Sequence, residues 1–189
     1  MDMQECIRAI NRLFNRHEED EAALLERAVG RNPLMVQKVI SGGQTGVDRA
    51  GLDAALRAGI PAGGSCPRGR KAEDGTIPED YPLAELDSVS YQVRTRRNVV
   101  DSDGTLILTK GALTDGTLQT FNYTVKYRKP CLVVNLDRSP DTRQVFDWLE
   151  THRIAVLNIA GPRESKYPEG VYKDANAFLE KVMNAFSPA

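Results

Sequence analysis

Residues 36–50 decide the fold, and they read VQKVISGGQTGVDRA. The short apolar run Val36–Ile40 predicts a buried strand, and a Ser-Gly-Gly turn follows it at 41–43. Apolar and small residues at helical spacing then predict a helix over 47–58. A strand, a glycine-rich turn and a helix in this order are typical of a βαβ unit in a parallel sheet.

The rest of the chain repeats this alternation of short apolar runs and amphipathic segments. Further strands are predicted at Thr105–Thr109, Cys131–Leu136 and Ile154–Ile159. Further helices are predicted near 91–101, 117–127, 141–150 and 173–186, and the second of these carries a stripe expected to be buried, Leu118, Phe121 and Val125. We therefore expect a three-layer, Rossmann-like α/β domain with a doubly wound, mainly parallel sheet.

Residues 1–34 have a different pattern. Apolar side chains such as Ile7, Ile10 and Leu13 fall at helical spacing there, and no short apolar run predicts a strand. The sequence thus predicts an N-terminal helical extension at 1–34 and one Rossmann-like ligand-binding domain at 35–189.

The composition of the 189-residue chain argues against several classes of protein. Hydrophobic residues make up 41% and charged residues 27%, a balance that is typical of a globular protein and not of a disordered one. The net charge of −1 gives no electrostatic basis for nucleic-acid binding. No apolar run is long enough to span a membrane, and no signal peptide is visible, so we expect a cytoplasmic protein. The three cysteines are unclustered and predict no metal site.

Three predicted strand ends carry unusual loops, and in parallel sheets such loops bind ligands. The first loop reads SGGQTGVDR, in which Gly42 and Gly43 permit close approach of a ligand to the backbone. Thr45 and Gly46 begin a helix whose free N–H groups attract an anion. The loop is neither a Walker loop nor a G-x-G-x-x-G motif, and a tight turn without a ligand stays open. Asp48 lies in the first helical turn, where the helix dipole stabilises a carboxylate whether or not it has a function.

The second loop is KGALTDGT at 110–117, and the third is NIAGPRES at 158–165. Gly116 and Thr117 would place N–H groups and a hydroxyl on a phosphate, unless Thr117 only caps the following helix. In the third loop, the forked donors of Arg163 suit an anion, with a surface ion pair as the alternative.

Two further segments supply polar groups. The stretch 61–82 is too long for a simple connector, and it contains the charged run CPRGRKAEDG at 66–75, which also fits an ordinary solvated loop. Arg94 and Asn98 stand at helical spacing and would line one helix face.

No catalytic triad is visible, because neither histidine falls on the three loops. Acid–base chemistry would be limited to four carboxylates: Asp48, Glu73, Asp74 and Glu164. We predict no catalytic residue. Two glycine-rich anion sites and several arginines in a chain of net charge −1 indicate a phosphorylated small-molecule ligand.

Several motifs together resemble one known family. They are SGGQTGVDRA at 41–50, CPRGRKAEDG at 66–75, Arg94-Thr95 with Asn98-Val99, DSDGTLI at 101–107 and AGPRES at 160–165. In this order, over roughly residues 36–183, they resemble the molybdenum cofactor carrier proteins. That family is a circularly permuted branch of the LOG, or lysine-decarboxylase-like, Rossmann superfamily.

The resemblance implies a protein that stores or carries molybdenum cofactor, a phosphorylated pterin with bound molybdenum. It also implies a homo-oligomer, a dimer or a tetramer, with molybdoenzymes as recipients of the cargo. No protein ligand to the metal is implied, because the cofactor supplies its own sulfurs. Carried over residue by residue, the cofactor-binding residues would be Gly42, Gly43, Gln44, Thr45, Gly46, Asp48, Arg49, Arg68, Gly69, Arg70, Lys71, Arg94, Asn98, Gly116, Thr117, Gly161, Arg163, Glu164 and Ser165. Asn158 would join Gln44 and Asn98 at the pterin edge.

The chain departs from the family at two positions. Asp115 stands where relatives commonly have glycine, and its carboxylate would repel a phosphate unless it turns outward. Arg96 stands where relatives often carry an acidic residue. An alternative function is a LOG-like nucleoside-monophosphate phosphoribohydrolase using Glu73 or Glu164, and another is a nucleotide-sensing domain. The chain lacks the double glycine and the glutamate of the LOG signature, which favours a non-catalytic carrier.

Overall fold

The structure is a computed structural model, and it describes residues 36–186. The predicted helical extension at 1–34 lies outside the described residues, so it stays a prediction together with its domain boundary. No helix within 36–186 combines the length and the apolar character needed to cross a membrane.

Five parallel strands form the central sheet in the order β2-β1-β9-β7-β8. Their bounds are β1 Lys38–Ile40, β2 Ala62–Gly63, β7 Gly104–Thr109, β8 Cys131–Asn135 and β9 Val156–Ala160. The four strands predicted from apolar runs are all present, which confirms the parallel sheet. The short strand β2 at the sheet edge was not predicted, because two residues carry no periodic signal.

Within the described residues, five α-helices cover the sheet. They are α1 Val47–Arg57, α2 Tyr91–Asp101, α3 Asp115–Lys126, α4 Arg143–His152 and α5 Tyr172–Asn184. Helices α1 and α5 pack together over one face of the sheet, and α2 packs beside α3 over the other. The predicted three-layer α/β architecture is therefore confirmed.

The sheet order shows a circular permutation. In a doubly wound sheet the strands, numbered along the chain, usually lie in the order 3-2-1-4-5. In this protein β9 occupies the position of strand 1, β1 and β2 those of strands 2 and 3, and β7 and β8 those of strands 4 and 5. The strand that opens the usual order is thus the last in this chain. Because the order reverses between β9 and β7, the ligand crevice is expected outside the carboxyl ends of these two strands.

The main core lies under α1, α4 and α5. Leu106, Leu108, Leu157 and Ile159 alternate along β7 and β9 and are fully buried there. The small-residue face of α1 lies close on the sheet as predicted, since a Cβ at Gly51 would be 2.8 Å from Ile159 Cγ2. Burial of each large aliphatic side chain contributes roughly 1.5–3 kcal/mol to stability.

The long stretch after β2 forms a small substructure of its own. Strand β3 (Ser65–Cys66) pairs in parallel with β6 (Ala84–Glu85), and β4 (Lys71–Ala72) forms a hairpin with β5 (Gly75–Thr76). A second apolar cluster lies beneath these strands and contains Leu52, Cys66, Ala72, Ile77 and Leu83. The stretch is therefore more than a connector.

The predicted burial of α3 is wrong. Leu118 and Val125 are 42% and 63% exposed, whereas Thr117, Thr120 and Thr124 are buried. The sheet face under α3 and α2 carries three buried polar side chains, Thr105, Thr109 and Asn158, beside the apolar Ile107. Threonines match this face because their hydroxyls bond to carbonyls of the same helix, Thr120 to Gly116 at 2.9 Å and Thr124 to Phe121 at 2.7 Å.

Candidate ligand-binding site

A cavity of about 370 Å³ lies at the carboxyl ends of β1, β9 and β7, between α2 and α3. Its volume falls at the lower end of the range for small-molecule sites. The cavity occupies the place where the sheet order reverses. The three loops singled out from the sequence all contribute to its wall, through Gly42, Gly116 and Gly161.

A buried ion pair forms one side of the cavity. Arg94 Nη1 donates to Asp48 Oδ2 at 3.0 Å, and the two side chains are only 11% and 5% exposed. The backbone N–H of Gln44 also donates to Asp48, at 3.3 Å. Burial raises the pKa of Asp48, although the charge of Arg94 and the nearby backbone N–H groups oppose this shift.

Gly42 is required for this pair to form. A Cβ at position 42 would overlap the Arg94 guanidinium, and it would lie 2.6 Å from Arg94 Nε. The guanidinium therefore lies directly on the glycine loop. Arg94 Nε is buried without a hydrogen-bond partner among the described residues. Tyr91, one turn earlier on α2, lies 5.9 Å from the guanidinium carbon by its ring centre.

The N-terminus of α3 forms the opposite side. The N–H groups of Asp115 and Gly116 have no hydrogen-bond partner among residues 36–186, and Gly116 has open space around its Cα. Asp115 adopts a left-handed backbone with φ of 48°, which explains why glycine suits this position. Its side chain is 75% exposed and pairs with Lys166, and this hydrogen-bonded cation lowers the pKa of Asp115. The carboxylate thus turns towards Lys166 and solvent.

The third loop interlocks with the first. A Cβ at Gly161 would lie 2.5 Å from the Leu108 carbonyl oxygen, and one at Gly46 would lie 2.6 Å from the Pro162 carbonyl oxygen. Both positions therefore exclude any side chain. This packing places Arg163, which is 61% exposed, at the cavity mouth.

Glu73 ties three loops together from the β4–β5 turn. Its carboxylate accepts hydrogen bonds from the hydroxyls of Thr45 and Ser165 and from the Ser165 N–H at 3.1 Å, and it pairs with Arg163 Nε at 3.3 Å. Desolvation alone would raise the pKa of Glu73, but the hydrogen bonds from Ser165 and Thr45 outweigh it, so the pKa is lowered. The adjacent Asp74 holds Arg49 through two bonds of 2.6 and 2.8 Å.

The structure brings nine of the nineteen predicted site residues to the cavity. These are Gly42, Gln44, Asp48, Arg94, Asn98, Gly116, Thr117, Gly161 and Arg163. Asn98 lines the wall, but both ends of its amide bind the backbone of Ser65, at 2.8 and 3.1 Å. Its contribution to the site is therefore partly structural.

The other ten predicted residues lie outside the cavity lining: Gly43, Thr45, Gly46, Arg49, Arg68, Gly69, Arg70, Lys71, Glu164 and Ser165. Arg70 is buried and donates to four backbone carbonyls between Ile77 and Leu83, so it holds the small substructure together. Glu164 accepts from the N–H groups of Val171 and Tyr172 at the start of α5. Ligand contact by these ten residues stays a prediction.

Several lining residues were not among the predicted cofactor-binding set. The polar and aromatic ones are Tyr91, Thr95, Thr114, Asp115, Thr120 and Lys166. Asn158, which was expected at the pterin edge, also lines the cavity. Tyr91 stands three residues before Arg94 and Lys166 three after Arg163, so helical spacing from a predicted arginine is the signal that could have found both. Within the described part of the chain, no cluster of residues could hold a metal ion.

Comparisons with known proteins agree with this geometry. A sequence model of the circularly permutated YpsA SLOG family matches residues 39–183. The chain belongs to this family. A crystal structure of a putative molybdenum carrier protein from Syntrophus aciditrophicus SB is 46% identical, covers 79% of this chain and 95% of its own, and superposes with a TM-score of 0.75. No curated protein matches the chain. The permuted strand order and the family resemblance seen in the sequence are thereby confirmed.

Proposed function

We propose that this chain binds molybdenum cofactor, a phosphorylated pterin with molybdenum, and stores or carries it as cargo. The observation that carries the proposal is the cavity, in which the unpartnered N–H groups of Asp115 and Gly116 on α3 and two cationic side chains at its mouth, Arg163 and Lys166, meet at the point of strand-order reversal. This combination suits a small anion-bearing molecule.

The lining residues fit the parts of this cargo. The N–H groups of Asp115 and Gly116 suit the terminal phosphate, and the exposed ring of Tyr91 suits the flat pterin. Arg163 and Lys166 at the mouth suit an oxo-anionic metal end. Lys166 is held by an exposed pair with Asp115 that is worth little, so an incoming anion displaces that partner at low cost. Arg163 is 61% exposed, and its remaining guanidinium donors can contact an anion while its Nε stays on Glu73, which is only 16% exposed. Asn158 and Gln44 suit the pterin edge.

The similarity to a protein described as a molybdenum carrier supports the same cargo. Recipient molybdoenzymes, a dimeric or tetrameric assembly and a cytoplasmic location stay predictions that accompany this proposal. Nucleic acids and membranes are not among the proposed partners.

The hydrolase alternative has less support from the geometry. Neither Glu73 nor Glu164 lines the cavity. Glu73 is engaged by Thr45, Ser165 and Arg163, and Glu164 by the start of α5, so neither carboxylate is free to act at a glycosidic bond. A nucleotide-sensing domain would use the same phosphate site and is distinguished by its ligand.

The test is retention of the cargo. Purified protein is incubated with molybdenum cofactor and desalted, the pterin is oxidised with acidic iodine and measured by fluorescence after chromatography, and molybdenum is counted by mass spectrometry. We expect both near one per chain. Metal without pterin would indicate a molybdate store, and absence of both would overturn the proposal and make nucleotide binding the next assay.

Arg163→Ala supplies the site-specific control. The variant loses a charge-assisted contact at the mouth, so we expect about tenfold weaker retention, which corresponds to about 1.4 kcal/mol. Its Tm should stay nearly unchanged because Arg163 is mostly exposed. Arg96→Ala removes an exposed arginine from α2 outside the cavity and should retain cargo like the wild type.

A further inference from the structure

The glycine loop between β1 and α1 holds an anion that belongs to the chain itself. The Asp48 carboxylate accepts from the Gln44 N–H at 3.3 Å and from Arg94 Nη1 at 3.0 Å. We call these two donors, the Gln44 N–H and the Arg94 guanidinium that lies on Gly42, the loop cradle. A loop N–H beside an arginine guanidinium is a place that a bound phosphate would otherwise occupy.

Two neighbouring N–H groups of this loop, those of Thr45 and Val47, are also taken. The Thr45 N–H donates to Gln44 Oε1 at 3.0 Å, and the Val47 N–H donates to the Pro162 carbonyl at 3.2 Å. The N-terminus of α1 therefore offers an incoming anion no free donor at these positions. The N-terminus of α3 differs, since the N–H groups of Asp115 and Gly116 have no partner within 36–186.

We propose that Asp48 is a specificity-determining residue that fills the loop cradle and keeps external anions out of it. The phosphate of the cargo is then confined to the α3 side, which fixes the direction in which the cargo lies in the cavity. The part about the cargo rests on the proposed function. The filling of the loop cradle by Asp48 does not.

Removing Asp48 should create an anion site. In Asp48→Ala, the buried Arg94 loses its carboxylate partner, and its Nε already lacks one. A buried cation without a partner is strongly unfavourable, so a small anion that enters the vacated space should restore stability. Formate carries the same carboxylate as the deleted side chain, and inorganic phosphate represents the cargo's anionic end.

The experiment compares the Tm of full-length wild type, Asp48→Ala and Asp53→Ala with and without formate and, separately, phosphate. Asp53 is the matched control, because its carboxylate accepts from the hydroxyls of Tyr81 and Tyr172 and pairs with no cation at either bond. At an anion concentration of ten times Kd, Asp48→Ala should gain about 3–5 °C more than either other protein. Equal gains in all three proteins would overturn the proposal.

Two further variants keep the test decisive if Asp48→Ala folds poorly. Asp48→Ser retains an acceptor near the start of the helix and should show the same selective rescue, although smaller. Asp48→Asn keeps the loop cradle filled with a side chain of the same shape, so formate should not rescue it. A rescue of Asp48→Asn equal to that of Asp48→Ser would place the anion elsewhere and overturn the proposal.

This experiment needs no cargo, so its outcome separates the two proposals. Selective anion rescue together with failed retention of molybdenum cofactor would leave the role of Asp48 standing and overturn the proposed cargo. Normal retention by the wild type without selective rescue would do the reverse.

Discussion

The two glycine-rich loops of this chain look alike in sequence, yet they have opposite states in the structure. Each follows a parallel strand and leads into a helix, β1 into α1 and β7 into α3. At α1 the N–H groups of Gln44, Thr45 and Val47 are bound by Asp48, by the Gln44 side chain and by the Pro162 carbonyl. At α3 the N–H groups of two residues that line the cavity, Asp115 and Gly116, have no partner within 36–186. The loop sequence therefore predicts where an anion can bind. The residues packed on the loop determine whether that anion is a side chain of the protein or an external ligand.

The largest predicted effect is the difference in stability between the alanine variants of Gly42 and Gly116. A Cβ at position 42 would displace the Arg94 guanidinium and break its buried pair with Asp48, whereas a Cβ at 116 would meet nothing within 4 Å. We expect Gly42→Ala to lower the free energy of unfolding by roughly 3–5 kcal/mol, as breaking a buried ion pair does. Gly116→Ala should change it by less than about 1 kcal/mol.

Urea unfolding followed by circular dichroism measures both variants. The comparison between the two loops would be wrong if Gly42→Ala were as stable as the wild type, or if the two alanine variants lost equal stability.

This contrast also shows how far the sequence predicted the structure. Helix α2 was predicted at its observed bounds, and the strands to within two residues, because apolar periodicity is a local property. The buried face of α3 was not predictable in this way, since it depends on polar side chains such as Asn158 on a strand that comes later in the chain. Tertiary context overrode the local pattern there.

The site likewise contains residues that local sequence rules predict and contacts that depend on distant segments of the chain. Glycines at strand ends were predicted as site residues from local rules, and three of them line the cavity. The pairing of Asp48 with Arg94 joins residues 46 positions apart, and no local spacing indicates it. Arg70 belonged to a charged run that fits a solvated loop, yet it is buried against four carbonyls. Which charges a fold buries depends on acceptors supplied by distant segments.

An effect of intermediate size on stability is expected from Glu73, whose carboxylate connects Thr45 of the first loop to Ser165 of the third. Because the folded-state pKa of Glu73 is lowered, its stabilising contribution is present above the unfolded pKa near 4.5 and is lost as pH falls through the folded value. We expect wild-type stability to fall more steeply than that of Glu73→Gln from about pH 5 downwards. At neutral pH, Glu73→Gln should lose about 1–2 kcal/mol, because its amide cannot accept from both hydroxyl partners.

Thermal unfolding from pH 3 to pH 7 gives this comparison directly. Asp80→Asn is the control, since Asp80 is exposed and has no hydrogen bond or ion pair within residues 36–186, so this variant should follow the wild-type pH profile. Parallel profiles for wild type and Glu73→Gln would show that Glu73 does not hold the loops together.

The smallest effect on stability should come from Asp115, the non-glycine residue with a left-handed backbone in the α3 loop. Asp115→Gly relieves a left-handed backbone of φ 48°, which favours the variant, but it also removes a carboxylate from the first helical turn and from Lys166. These terms have opposite signs and similar sizes, so the net change in stability should be small.

Anion binding to Asp115→Gly should respond more clearly, because the variant frees Lys166 and removes a negative charge beside two unpaired N–H groups. We expect inorganic phosphate to bind several-fold more tightly to Asp115→Gly than to wild type in calorimetry, and the gain should shrink at high salt. Unchanged affinity would mean that phosphate does not bind at α3, and the two loops would then differ in their hydrogen bonds but not in their function.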